Sequence, residues 1–237
     1  LDYWVKRFEK YEVKNGGITE QFGKKIINFE DFDEQQYMLI SDEGNEGVAS
    51  GKAWLNGPVP LEFAITGLGP VHIRIAQFDY MKQVLEQVML MRETATEGDL
   101  HLFEIGEGGN GASVVIEKNI VLPAGRQGYG TVHHAAFRVE DKKHLMEWLN
   151  RYEEAGFNTS GYVDRFFFES IYVRVAQGIL FELATDGPGF MGDEPYETMG
   201  EKLSLPPFLE AKRVYIESQV RPIDTVRSTK TIEKEYL

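Results

Sequence analysis

The sequence predicts an α+β fold of repeated strand–helix–strand–strand–strand (βαβββ) modules, paired into open, barrel-like sheets. Three observations carry this expectation. Apolar runs at Val71–Ala76, Val132–Val139 and Ile179–Ala184 have the length and residue types of strands. Asp79–Leu90 and Lys142–Ala155 set apolar residues at helical spacing directly after the first two runs. The third observation is repetition. His72 lies seven residues before Asp79 and His134 seven before Asp141, and Tyr37–Asp42 parallels Phe181–Asp186. One such module cannot close a sheet around a cavity, whereas two paired modules can.

Taken in order, Tyr3, Trp4, Phe8 and Tyr11 fall on one helical face, and Asn15-Gly16-Gly17 is expected to end that helix. Ile18–Phe29 reads as a strand region, Asp31–Glu34 as an acidic turn, Gln36–Ser41 as a strand and residues 42–60 as a Gly/Pro loop. The second unit runs from Val71–Ala76 into a helix that Asp79 is placed to cap. Strands near Leu100–Ile105 and Ala112–Glu117 follow. The third unit has the strand Val132–Val139, a helix begun by Asp141, and strands near Arg165–Phe168, Ile171–Val175 and Ile179–Ala184. The tail carries a helix around Glu210–Val220. The expected division is a partial module over residues 1–57, modules over 58–125 and 126–190 with the latter metal-bearing, and a tail over 191–237. The opening Leu1–Tyr11 reads as helix interior without an initiator Met or a preceding strand, so an upstream portion is expected to be missing.

With 237 residues, 42% hydrophobic and 27% charged, the chain has an ordinary globular composition. Its formal net charge of -13 argues against a nucleic-acid surface. No apolar run approaches the ~18 residues of a membrane span. Zero cysteines exclude disulfide scaffolds and thiolate metal sites. A cytoplasmic location is the expectation.

The chemistry gathers on two strands. His133 and His134 are expected to face opposite sides of theirs, because successive strand side chains alternate. Glu182, between Phe181 and Leu183, places a carboxylate where an apolar residue would serve. Two histidines and one carboxylate leave open positions for substrate and dioxygen at non-haem Fe(II). His134 and Glu182 are therefore candidate metal ligands, and His72, at the matching position one module earlier, is the candidate third. Arg165 and Tyr172 are candidates for holding anionic charge or donating a proton. His101 and His144 read as surface histidines. The glycines of residues 106–111 do not sit between a strand and a helix, which argues against a phosphate loop. No hydrolase elbow is present.

Several motifs together resemble one family. They are Tyr3-Trp4 with Arg7-Phe8, Gln21–Gly23, Gly128–Val139, Ser160–Arg165, Gly178–Phe190 and Gly200–Glu210. On these the chain resembles the ring-cleaving, hydroquinone-type dioxygenases of the vicinal oxygen chelate (glyoxalase/bleomycin-resistance) superfamily. The resemblance implies Fe(II), with Mn(II) or another divalent metal as the alternative, and oxidative ring opening of a diphenol by O₂. It implies His134 and Glu182 as ligands, His133 as an active-site histidine beside them, and Arg165 and Tyr172 as substrate- or oxygen-facing groups. In that family the remaining histidine ligand lies on the opening strand of the first module, so the resemblance counts against His72 while the internal repeat counts for it. A glyoxalase-type lyase or isomerase on the same scaffold, a non-catalytic binding module, and a homodimer are the alternatives carried forward.

Overall fold

Three separate sheets account for most of the order in the chain. The computed structural model describes residues 1–121, 123 and 125–237. Leu122 and Ala124, inside the span expected for the second module, lie outside the described residues. The fold is α+β with open sheets, and among the described residues no sheet closes into a barrel.

The chain divides into two units, the first comprising Leu1–Ala135, Arg174–Leu180 and Ile232–Leu237. It opens with helix α1 (Asp2–Lys10), which buries Tyr3 and Phe8. Tyr3 stacks on Phe63 at 4.5 Å, the Trp4 indole N–H donates to the Phe63 carbonyl at 2.8 Å, and Phe8 packs on Phe29. Glu12, in the left-handed region at φ 54°, ends the helical path. The Asn15-Gly16-Gly17 segment does not terminate the helix as expected; it opens strand β1 (Asn15–Gln21), where the register slips between Asn15 and Ile18. The strand region expected over Ile18–Phe29 is a hairpin, because Phe22 and Gly23 adopt φ of 49° and 71° and turn the chain into β2 (Lys24–Glu30). Strand β3 (Gln36–Ile40) completes the order β1-β2-β3. Asp31 holds the intervening turn by accepting from the Asp33 and Gln35 amides.

The second sheet of this unit has the order β4-β7-β6-β5, from β4 (Val71–Ile75), β5 (Arg92–Glu97), β6 (Leu100–Glu104) and β7 (Ser113–Lys118). β4 and β7 run parallel, which requires the helical crossover that follows β4. That crossover is α2 (Phe78–Gln83), continued by a π-helical turn over Val84–Val88. The wider turn brings Met81, Val84, Leu85, Val88 and Met89 all into the core. Asp79 does not cap α2; the Gln177 side chain accepts from the Ala76 and Gln77 amides instead. Gly108, Gly109 and Gly111 serve close packing. Val48 exchanges backbone bonds with Gly108 and Gly111, and a Cβ on Gly109 would lie 2.4 Å from the Glu46 carbonyl oxygen.

The second unit comprises Ala136–Val173 and Phe181–Thr231. Its sheet has the order β8-β11-β10-β9, from β8 (Ala135–Arg138), β9 (Val163–Asp164), β10 (Phe168–Arg174) and β11 (Leu180–Pro188). This is the order of the β4–β7 sheet, so the repeat read from spacing is a repeat of topology. Helix α3 (Lys142–Glu154) starts at Asp141, whose carboxylate accepts from the His144 amide at 2.8 Å, and it buries Leu145, Leu149 and Tyr152. The expected helix of the tail is two short ones, α4 (Pro207–Glu210) and α5 (Arg213–Gln219). Among the described residues, no helix is long and apolar enough to cross a membrane.

Candidate metal centre

β8 is shorter than the strand expected from sequence, and the difference decides the geometry of the histidines. His133 and His134 precede its first residue, Ala135, so the alternation of strand side chains does not apply to them. Their imidazoles are neighbours rather than occupants of opposite faces. The two Nδ1 atoms are 2.8 Å apart and the ring planes stand at 90°. One Nδ1 donates and the other accepts. His134 is half-buried and His133 exposed.

Glu182 lies on β11 with 3% of its surface exposed, between Phe181 at 0% and Leu183 at 1%. Three successive buried residues mean that both faces of the strand are covered, so the carboxylate is interior whichever way it turns. Ionised, it needs cationic or hydrogen-bonding neighbours to offset lost hydration. Arg165 and Tyr172 do come together. The Arg165 Nε–H donates to the Tyr172 hydroxyl at 3.3 Å, and the guanidinium lies 5.1 Å from the ring centroid. Phe166, at φ 70°, makes the turn between β9 and β10 that allows this contact.

His72 occupies a different setting. Its neighbours Ile73 and Ile75 face the packed side of the β4–β7 sheet, while His72 lines a cavity of about 410 Å³ within the first unit. Trp4, Lys24, Phe63, Glu104 and Asn110 share that wall. The imidazole is exposed on the cavity wall, and its partial loss of hydration there lowers its pKa from the ordinary 6.5, with Glu117 opposing and Arg74 assisting. Among the described residues, no three His, Asp or Glu side chains gather as a group that could hold a metal ion.

A polar cluster around Glu93 was not visible from the order of residues alone. His101, read as a surface residue, lies 4.1 Å from the Phe78 ring and places Nδ1 2.7 Å from the Glu93 carboxylate, which also pairs with Lys82. These contacts, the His101 bond foremost, hold the Glu93 pKa down to about 2. A charge pattern spread over residues 82, 93 and 101 becomes visible only once β5 and β6 are paired.

Comparison with known proteins decides the family. No family model matches the chain. A Bacillus subtilis (strain 168) protein named as a ring-cleaving dioxygenase, MhqA, is 40% identical over 229 residues, covering 94% of this chain and 72% of the relative. The chain belongs to the ring-cleaving dioxygenase family. The chlorohydroquinone/hydroquinone 1,2-dioxygenase of Sphingobium indicum is 28% identical over 215 residues, covering 89% of this chain and 65% of that protein. A crystal structure described as a dioxygenase from Bacillus subtilis superposes with a TM-score of 0.83 at 33% identity, over 95% of this chain and 71% of the other. These names support an enzyme.

The donor types in this ring-cleaving dioxygenase relative fit a divalent non-haem metal. The histidine pair offers imidazole nitrogens and β11 a buried carboxylate oxygen, the nitrogen and oxygen donors such ions take without thiolate.

Proposed function

We propose that the chain is an Fe(II)-dependent, extradiol-type dioxygenase that opens the ring of hydroquinone or a related diphenol. The observation that carries this reading is the interior carboxylate of Glu182, set in a strand with both faces covered and lying in the Gly178–Phe190 motif. The proposed ligands are His134 and Glu182. His72, which lines the cavity of the first unit, remains the candidate third ligand.

Ring cleavage breaks one carbon–carbon bond and places both atoms of O₂ in the product, so no external reductant is required. A bound Fe(II) would supply a Lewis-acidic meeting point for a phenolate oxygen and O₂. The chain's own residues do the rest. His133 holds the His134 ring through the Nδ1 contact and keeps its Nε2 available to take or return a substrate proton. The Tyr172 hydroxyl accepts from Arg165 and is the group that would donate a proton to an oxygen gaining charge.

Support comes from the dioxygenase names of the relatives, one of which is named for hydroquinone and chlorohydroquinone. The test is anaerobic loading with Fe(II), followed by oxygen uptake with hydroquinone and a panel of substituted diphenols. Consumption of one O₂ per diphenol is expected. No uptake by the iron-loaded chain with any of these diphenols would refute the reading.

A further inference from the structure

The histidine pair sits on irregular chain, yet a ligand must be held to a fraction of an ångström to keep its geometry. His133 and His134 follow a stretch whose described residues, from Asn119 onward, form no helix or strand, and β8 begins only at Ala135. What fixes them is a run of side-chain hydrogen bonds that lies entirely within the first unit. The Gln127 side-chain amide N–H donates to the His133 carbonyl. Its carbonyl oxygen accepts from Arg174 Nη2 at 3.1 Å, and Arg174 Nη1 donates to the Gly178 carbonyl at 2.8 Å. Gly178 belongs to the turn Ala176–Gly178, whose Gln177, at φ 53°, accepts from the Ala76 and Gln77 amides at 2.8 and 3.1 Å. One end of this relay is thus anchored where β4 meets α2, and the other holds the backbone of the histidine pair.

We propose that Gln127 and Arg174 are positioning residues of the metal centre. They hold the His133 carbonyl in place, and so keep the two Nδ1 atoms in contact and aim the His134 Nε2. The proposal rests on the reading of His134 as a ligand. Gln127 is exposed, and neither residue supplies core packing, so their contribution is separable from folding. An amide is the side chain this position requires. It donates to a carbonyl at one end and accepts from a guanidinium at the other, which neither a carboxylate nor an ammonium can do.

Three variants of the full chain test the relay. Gln127→Glu keeps an acceptor for Arg174 but removes the donor to His133; Gln127→Leu removes both; Arg174→Lys keeps the charge but not the two-point geometry. Two readouts are taken: histidine ring ¹⁵N resonances of the metal-free chain, and Mn(II) affinity by calorimetry. The expected result is altered His133 and His134 ring signals together with roughly ten-fold weaker Mn(II) binding in Gln127→Glu and Gln127→Leu, with the thermal midpoint little changed. Arg174→Lys is expected to fall between these and the parent chain. Unchanged ring signals and affinity within two-fold in both Gln127 variants would overturn the relay. If the parent chain binds neither Mn(II) nor Fe(II), the ligand reading of His134 fails, while the ring signals still decide whether Gln127 positions the pair.

Discussion

The Nδ1 atoms of His133 and His134 meet at 2.8 Å across perpendicular rings, so two adjacent residues act as one hydrogen-bonded unit rather than as opposite faces of a strand. The two members are expected to differ in what their loss does. His134→Ala removes a proposed ligand and should abolish oxygen uptake and reduce metal content to background. His133→Gln should retain most of the metal and lower kcat by about 10²-fold, the usual scale for a lost acid–base or orienting group. Metal analysis beside oxygen-electrode rates checks the difference, and equal metal loss in both variants would reject the separate roles.

The contact between Arg165 and Tyr172 makes a second prediction. Tyr172→Phe keeps the ring under the guanidinium but removes the hydroxyl that accepts from Nε. If that hydroxyl donates to an oxygen gaining charge, kcat should fall by about 10- to 100-fold with little change in KM. An equal effect carried by KM alone would make Tyr172 a binding group instead.

How much of this was legible in the sequence depends on what each residue had to reveal. Val71–Ile75 announced itself by alternation, with Ile73 and Ile75 buried and His72 and Arg74 exposed, and Leu180–Leu183 by a run covered on both faces that is apolar but for Glu182. β5, Arg-Glu-Thr-Ala-Thr-Glu, did not, because an edge strand facing water can be built from polar residues. The Phe22-Gly23 turn was hidden by a phenylalanine at positive φ, a conformation that a tyrosine- or phenylalanine-rich strand does not advertise. Glu182 was legible as misplaced charge. The Gln127–Arg174 relay was not, since its partners are 47 residues apart and carry no shared motif.

The repeat itself misled at one place, which yields a stability prediction. Asp79 and Asp141 stand at the same spacing from a histidine, yet only Asp141 accepts an amide of its helix, while the start of α2 is served by Gln177. Asp141→Ala should cost about 1 kcal/mol of stability, whereas Asp79→Ala should stay within about 0.5 kcal/mol. Chemical denaturation of the two variants beside the parent chain measures this. Equal costs would show that the observed cap contributes nothing particular.

The Glu93 cluster predicts how stability responds to acid. The ordinary glutamate pKa of 4.5 is drawn down to about 2 in the folded chain, chiefly by His101 and then by Lys82. A carboxyl that is more acidic when folded stabilises the fold wherever it is ionised in both states, that is, above its unfolded pKa. The stabilisation is lost as the pH falls from about 4.5 to about 2, because the unfolded chain takes up the proton first. The group is partly exposed, so solvent screening reduces the effect to the order of 1 kcal/mol. Glu93→Gln should therefore lower the thermal midpoint at pH 7 by a few degrees, and the gap from the parent chain should close as the pH approaches 2.5. His101→Gln should shrink the same gap by removing the first partner while leaving Lys82 in place. A difference between Glu93→Gln and the parent that stays constant from pH 7 to pH 2.5 would mean that packing, not charge, is what the glutamate provides.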